Sequence, residues 1–181
     1  MKTLLAVLLL GAAAIAQTNA ASQSACGPVD TNFKVKTNTS VKAMAQTDPG
    51  KALVYVIEDQ KFKGVRDVTA RVGLDGNWIG ANRGNSYLSF AVSPGEHHLC
   101  TDWLSEFLPG GRSVSLSSLN AEAGKVYYFR ARTTGGQGSA VTNTGGLAIA
   151  DNGAIDLQQV DPDEGKMLVA SSVMSVSHPK K

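Results

Sequence analysis

The chain has 181 residues, of which 17 are basic and 15 acidic, so its formal net charge is +2. A charge this close to zero gives no broad cationic footprint for a phosphate backbone, and we do not expect nucleic acid as a partner. The 19 glycines and 6 prolines follow no Gly-X-Y period, which excludes a collagen-like chain. The length fits one domain of ordinary size.

The first twenty residues predict a secretory signal peptide. Lys2 places a positive charge before the apolar run from Leu4 to Ala16, and small residues follow at the spacing that signal peptidase reads. The run is shorter than the roughly 20 residues that span a bilayer. We therefore expect cleavage near Ala20 and export to the periplasm or the medium, with no transmembrane segment after cleavage.

The two cysteines, Cys26 and Cys100, favour one disulfide bond, because exported chains with an even cysteine count commonly pair them. Two unpaired cysteines are the alternative. We do not expect a lipid anchor at Cys26, because Gln23 stands where a lipidation signal carries leucine or a similar apolar residue. No Cys-x-x-Cys motif is present, so we expect no redox centre, metal or other cofactor.

The mature chain begins with a polar segment and then becomes rich in β-branched and aromatic residues. Residues 21–48 predict a leader or linker, although Phe33–Val35 could form an edge strand. The β-branched and aromatic run Ala52–Ile57 predicts a strand buried on both faces. Alternation from Val68 to Leu74 predicts one core face and one solvated face, with Arg71 on the solvated face.

Turn signals separate the later strands. Asp75-Gly76 predicts a hairpin turn, because glycine adopts positive φ at little cost. Further predicted strands cover Tyr87–Val92, His97–Trp103, Ser113–Ser117, Val126–Arg132 and Ile155–Val160. Asp161 as N-cap, Pro162 and Glu164 predict a short helix, with Met167 and Leu168 facing the core.

About eight short strands and one late helix predict an all-β fold. We expect an antiparallel β-sandwich of about 7–9 short strands with a short C-terminal helix. The sandwich domain is expected over residues 49–172 and a flexible tail over residues 173–181.

Several of these segments together carry a family resemblance. They are Pro49–Val56, Leu74–Gly76, Ser93–Leu99, Ala123–Tyr128 and Asp161–Leu168. In this order the chain resembles the bacterial envelope family catalogued as domain of unknown function 2846. The resemblance implies an Ig-like or other small β-sandwich, with many lipoproteins among the members. It implies no assigned activity, so no functional residue is transferred from it.

No catalytic arrangement can be recognised in the sequence. It contains no Gly-x-Ser-x-Gly motif, and His97 and His98 are neighbours on a predicted strand, so they point to opposite faces. His98, Cys100 and Asp102 share a face and form a weak candidate for a metal or cysteine–histidine site. We expect that the protein is not an enzyme.

Binding is the better-supported class of function. Tyr128, Arg130 and Arg132 share one face of the predicted strand and could bind a carboxylate, a sugar or an acidic partner surface. The alternative is that the arginines are solvated and Tyr128 packs beneath a neighbouring segment. The glycine-rich segment Thr133–Gly146 is a second candidate for a binding loop.

The leading hypothesis is an exported, non-catalytic β-sandwich of the bacterial cell envelope that acts by protein binding or assembly. Its partner would be another envelope protein or a glycan, and the oligomeric state stays open. The alternative is a small-ligand or carbohydrate-binding module. A secreted enzyme of unrecognised type is the third hypothesis.

Overall fold

The structure is a computed structural model that describes residues 25–40, 48–60, 69–104, 112–134, 143–144, 147–148 and 154–180. The strands are Phe33–Asn38 (β1), Ala52–Glu58 (β2), Thr69–Leu74 (β3), Asn77–Arg83 (β4), Ser86–Val92 (β5), Gly95–Leu104 (β6), Arg112–Ala121 (β7), Val126–Thr134 (β8), Asn143–Thr144 (β9), Leu147–Ala148 (β10), Ala154–Val160 (β11) and Val173–Pro179 (β12). One helix, Pro162–Ser171 (α1), precedes β12.

Two sheets pack face to face as an all-β sandwich, as predicted. One has six strands in the order β1-β12-β5-β2-β8-β11, and the other has four in the order β4-β3-β6-β7. The pairs β2–β8 and β12–β5 are parallel and the remaining pairs of these two sheets are antiparallel. The two parallel pairs correct the expectation of a purely antiparallel fold.

The core lies between the two sheets and continues beyond the six-stranded one. All seven residues of β2 are buried, which confirms the predicted two-sided strand. Val54 and Val56 face the second sheet, whereas Tyr55 and Ile57 face α1. A strand needs apolar side chains in succession when both of its faces are covered.

Helix α1 covers the outer face of the six-stranded sheet. The Asp161 side chain accepts hydrogen bonds from the backbone N–H groups of Asp163 and Glu164, at 2.9 and 3.0 Å, which confirms the predicted N-cap. Leu168 is buried, but Met167 is 63% exposed, so the expectation that both face the core is wrong for Met167. Their side chains project about 100° apart on a helix, and only one can face the sheet.

A second covering segment, the strap (residues 25–32), crosses the outer face of the four-stranded sheet. The bond between Cys26 and Cys100 ties it to β6, and this confirms the predicted disulfide. The strap leads directly into β1, which pairs with β12 over its whole length. The leader is therefore part of the fold over residues 25–38, and the predicted edge strand at Phe33–Val35 is present.

The segment after Ser172 corrects the expectation of a flexible tail. It forms β12, which joins β1 to the rest of the six-stranded sheet. Ser175 is buried, and its hydroxyl donates to the Ala81 carbonyl of β4 at 2.8 Å. The sequence does not reveal this strand, because the side chains on the inner face of β12 are polar and form no apolar stripe. They form hydrogen bonds with the neighbouring sheet instead.

Candidate binding surfaces

The predicted Tyr128–Arg130–Arg132 stripe lies on the outer face of β8, partly beneath α1. Tyr128 is only 2% exposed and stacks on Tyr55 with ring centroids 5.2 Å apart. Burial raises the pKa of the Tyr128 hydroxyl. The prediction of an exposed tyrosine is therefore wrong, and the alternative of a packed Tyr128 is correct. A strand residue's face follows from its position, but its exposure depends on what packs over that face.

The two arginines of the stripe share one carboxylate. Arg130 forms an ion pair with Asp59, just after β2, and a second one with Glu164 of α1 at 2.8 Å. Arg132 lies 3.4 Å from Asp59 and is half exposed. Burial alone would raise the pKa of Asp59, but the hydrogen bond from Arg130 and the charges of both arginines outweigh it and lower the pKa. Arg130 thus fastens the helix to the sheet.

The other predicted face carries His98, Cys100 and Asp102 on β6, and the strap covers part of it. Arg71, 1% exposed, forms an ion pair with the fully buried Asp102. Its guanidinium lies 4.3 Å from the centroid of the Trp78 ring and donates to the Val29 carbonyl at 3.0 Å. The expectation that Arg71 faces solvent is wrong, because the strap covers it. Within the described ranges, no three His, Cys, Asp or Glu side chains form a metal-binding group.

The two adjacent histidines do lie on opposite sides of β6. His97 contacts the Asp75 carboxylate at 2.6 Å and the Ser93 carbonyl at 2.8 Å. Burial lowers the pKa of His97, but the hydrogen bonds to Asp75 and Ser93 and the charge of Asp75 raise it by more. His98 is exposed. The His97–Asp75 pair holds the tight turn between β3 and β4 against β6.

Serine hydroxyls accept hydrogen bonds from backbone N–H groups on the outer edge of β11, and we call an edge bonded in this way sealed. The backbone N–H groups of Ile155 and Leu157 donate to Ser113 and Ser115 of β7, at 2.8 and 3.0 Å. These serines take the core-facing positions of β7, while the intervening Val114 and Leu116 are more than one-third exposed. Val114 and Leu116 therefore lie on the outer face of this strand, whereas Leu119 and Ala121 near its end are buried in the core.

Serines also seal the outer edge of β4. Ala81 donates its N–H to Ser177 at 3.0 Å and accepts from Ser175 at 2.8 Å, both from β12. The next outward N–H of this strand, that of Arg83, donates to Ser86 at 3.0 Å. The N–H groups of Ala81, Arg83, Ile155 and Leu157 are thus satisfied by side chains, which keeps these groups from pairing with another chain.

The outer edge of β1 lacks such a seal in the described part of the chain. Lys180 donates its N–H to the Asn32 carbonyl at 2.8 Å, which makes Asn32 and Lys180 a hydrogen-bonded pair. In an antiparallel ladder such pairs alternate with non-hydrogen-bonded ones, so every second residue of β1 after Asn32 bonds to β12. The N–H and C=O groups of Val35 and Thr37 therefore point away from β12. No described group bonds to them.

A groove adjoins this edge. Its volume is about 610 Å³. The lining residues are Val35, Lys36, Thr37, Arg83, Gly84, Asn85 and Val173. They come from β1, the β4–β5 turn and the start of β12, so the groove is built by segments far apart in the sequence. Lys36 and Arg83 make no ion pair with a described carboxylate.

Comparison with known proteins places the chain in a family. Residues 48–147 match the family described as "Protein of unknown function (DUF2846)". The chain belongs to this family. An "Uncharacterized protein" of Haemophilus influenzae is 27% identical over 155 residues, which cover 86% of this chain and 79% of that protein. No solved structure matches the chain.

The family match covers the sandwich from β2 to β10. The strap, β1, β11, α1 and β12 lie outside the matched residues, so the family gives no information on the β1 edge. The match ends before Asp161–Leu168, the last of the segments that carry the resemblance. None of the described helices is long and apolar enough to cross a membrane. Residues 1–20, 135–142 and 145–146, with the predicted signal peptide and most of the glycine-rich loop, lie outside the described residues.

Proposed function

We propose that this protein is an exported, non-catalytic component of the bacterial cell envelope that acts by binding another protein along the edge of β1. The observation that carries this proposal is the contrast between sheet edges. The edges of β4 and β11 are sealed by serine hydroxyls, whereas the outward backbone groups of Val35 and Thr37 have no described partner. An open edge recognises an extended peptide through main-chain hydrogen bonds.

Two further observations support export. The disulfide between Cys26 and Cys100 belongs to a type of bond that persists in oxidising compartments and is rare in the reducing cytosol. The first twenty residues have the composition of a secretory signal peptide. Both features are expected of an envelope protein.

The non-catalytic part of the proposal is supported by how the charged side chains are used. Asp102 is paired with Arg71, Arg130 with Asp59 and Glu164, and His97 with Asp75. A catalytic group needs to reach a substrate within hydrogen-bonding distance. These groups instead join one structural element to another.

The test uses two neighbouring proline variants. Thr37→Pro removes an outward N–H, whereas Lys36→Pro removes an N–H that bonds to β12. We expect Thr37→Pro to keep the melting temperature and Lys36→Pro to lower the stability by about 1 to 3 kcal/mol. The tagged mature protein is used to isolate binding proteins from the native envelope, and each candidate is then purified for affinity measurement.

The expected result is that Thr37→Pro weakens the affinity for a purified partner by about tenfold or more, since it removes one main-chain hydrogen bond and clashes with a docked strand. Equal affinity for wild type and Thr37→Pro would overturn the proposal. So would a mature protein that binds no envelope component. Exposed Thr39, which follows β1, provides a matched control, since Thr39→Pro lies beyond the strand.

A further inference from the structure

We infer that the partner strand of the β1 edge alternates acidic with small apolar side chains. The inference rests on the proposed function and adds the chemistry of the partner. Three observations support it: the lysines of β1, the lack of a carboxylate among their described neighbours at the end of β12, and the groove beside Val35 and Thr37.

The lysines set the charge of one face of this edge. Lys34 and Lys36 are two residues apart on β1 and therefore project from the same face, and both are exposed. An added strand places its own side chains about 5 Å from those of β1, measured between Cβ atoms. The side chains directly beside Lys34 and Lys36 would thus be within reach of their ammonium groups.

The neighbouring strand strengthens this preference. On β12, His178 is the register partner of Lys34, and Lys180 follows just beyond the strand. Lys34 therefore has a basic residue, not a carboxylate, on the side that is already occupied. The lysines of β1 make no ion pair with a carboxylate in the described ranges. An acidic side chain on the open side is the arrangement that neutralises them.

The same lysines disfavour a second copy of this chain. Two β1 edges paired with each other would bring lysines together across the new interface, and like charges directly opposite are destabilising. Lysine on an exposed edge commonly serves to prevent such pairing. Here it leaves an acidic strand as the favoured occupant.

The groove sets the preference on the opposite face. Val35 and Thr37 alternate with the lysines and line the groove together with Val173, and Lys36 also contributes to the lining. Alternate side chains of an added strand would enter it, where two valines offer apolar contact. Arg83 at the rim adds a third positive charge. A strand of alternating acidic and valine-sized residues fits both faces.

The experiment measures binding of short fluorescent peptides, about eight residues long, which is the length of an ordinary strand. The probes are Glu-Val, Gln-Val and Lys-Val repeats, and their binding is followed by fluorescence anisotropy at low ionic strength. We expect binding in the order Glu-Val, then Gln-Val, then Lys-Val, and a loss of Glu-Val binding with added salt. Amide hydrogen exchange should slow at Val35 and Thr37 when Glu-Val is bound.

The deciding variant reverses both lysines. We expect Lys34→Glu with Lys36→Glu to weaken Glu-Val binding by about tenfold and to strengthen Lys-Val binding. The matched control, Lys51→Glu with Lys125→Glu, makes the same change of net charge near the β7–β8 turn and should leave Glu-Val binding unchanged.

Two outcomes would overturn the inference. One is an affinity for the Glu-Val peptide that does not change when the charges of Lys34 and Lys36 are reversed. The other is an equal change of that affinity in the control variant. If Thr37→Pro still abolishes binding of the natural partner in either case, the proposed function stands and only the acidic partner is rejected. If Thr37→Pro leaves that binding intact, the proposed function itself is rejected.

Discussion

The two outer faces of the sandwich are covered by unlike elements. Helix α1 lies on the six-stranded sheet through Leu168, Val169 and a group of tyrosines that includes Tyr55 and Tyr128. The strap lies on the four-stranded sheet through a disulfide and a buried ion pair. The helix has regular backbone hydrogen bonds along its length, whereas residues 26–32 of the strap are neither helix nor strand.

This difference shows what an irregular covering segment needs. An irregular segment makes few internal hydrogen bonds, such as that from the Thr31 N–H to the Pro28 carbonyl at 3.4 Å, and its buried carbonyl groups require other donors. Arg71 donates to the Val29 carbonyl, and Trp78 donates to the Pro28 carbonyl at 2.7 Å. The charge of Arg71 is in turn balanced by Asp102. The helix instead contacts the sheet through apolar packing and through the ion pair between Arg130 and Glu164.

The largest expected effect comes from releasing the strap. The disulfide joins residues 74 positions apart, and its loss is expected to cost about 4 to 5 kcal/mol because the unfolded chain gains freedom. Urea unfolding of wild type and of Cys26→Ala with Cys100→Ala measures this loss. A difference below about 1 kcal/mol would show that the strap is held without the bond.

Removing one member of the buried ion pair should cost nearly as much. Arg71→Met removes the cation that pairs with the buried Asp102 carboxylate, and breaking a buried ion pair from one side typically costs about 3 to 5 kcal/mol. Arg71→Met combined with Asp102→Leu should recover most of the loss, since no charge then stays buried. If the double variant is no more stable than the single one, the ion pair is not what makes Arg71 important.

A smaller effect is expected on the helix-covered face. A Cβ atom at Gly165 would overlap the ring of Tyr128, so the helix can approach the sheet only with glycine there. Gly165→Ala is favoured by helix propensity by about 1 kcal/mol. We nevertheless expect a net loss of about 1 to 3 kcal/mol from the overlap. Thermal unfolding measures it, with Lys166→Ala on the exposed side as control; a stabilised Gly165→Ala would contradict the close approach.

The smallest effect is the response of the helix-covered face to acid. The pKa of Asp59 is lower in the folded state than its usual value near 3.8. The contribution of the Asp59 carboxylate to the free energy of unfolding is therefore fully present above that pH. It is lost as the pH falls through the pKa of Asp59 in the folded state. The stability difference between wild type and Asp59→Asn should be constant near neutrality and shrink below about pH 4.

Urea unfolding at several pH values tests this response. Exposed Asp30 provides the control, since Asp30→Asn removes a carboxylate of the strap with no ion pair in the described ranges. A difference between wild type and Asp59→Asn that does not change with pH would show that Asp59 has no role in fastening the helix through Arg130.

The sequence allowed prediction of the elements whose causes are local. The two-sided burial of β2 follows from its unbroken apolar run, and the N-cap at Asp161 follows from the residues that surround it. The hairpin turn at Asp75-Gly76 is confirmed, with φ values of 48° and 82°. The disulfide was predictable from the cysteine count and the predicted signal peptide.

Features that depend on distant segments were not predictable in this way. Arg71 has the pattern of a solvated residue, and only the strap makes it buried. The alternation over residues 113–117 has an apolar and a serine face, and nothing within those five residues indicates that Ser113 and Ser115 face β11. The open edge of β1 depends on its register with β12, more than a hundred positions later.

The pairing of β1 with β12 has a consequence for the order of folding. Phe33 is the register partner of Pro179, so the first described strand meets the last one. Because synthesis proceeds from the amino terminus, β1 has no strand partner until residues 173–179 have been made. Contacts between such distant positions also make folding slow. The six-stranded sheet therefore cannot be completed before β12 has been made, and until then β1 lacks the strand with which it pairs.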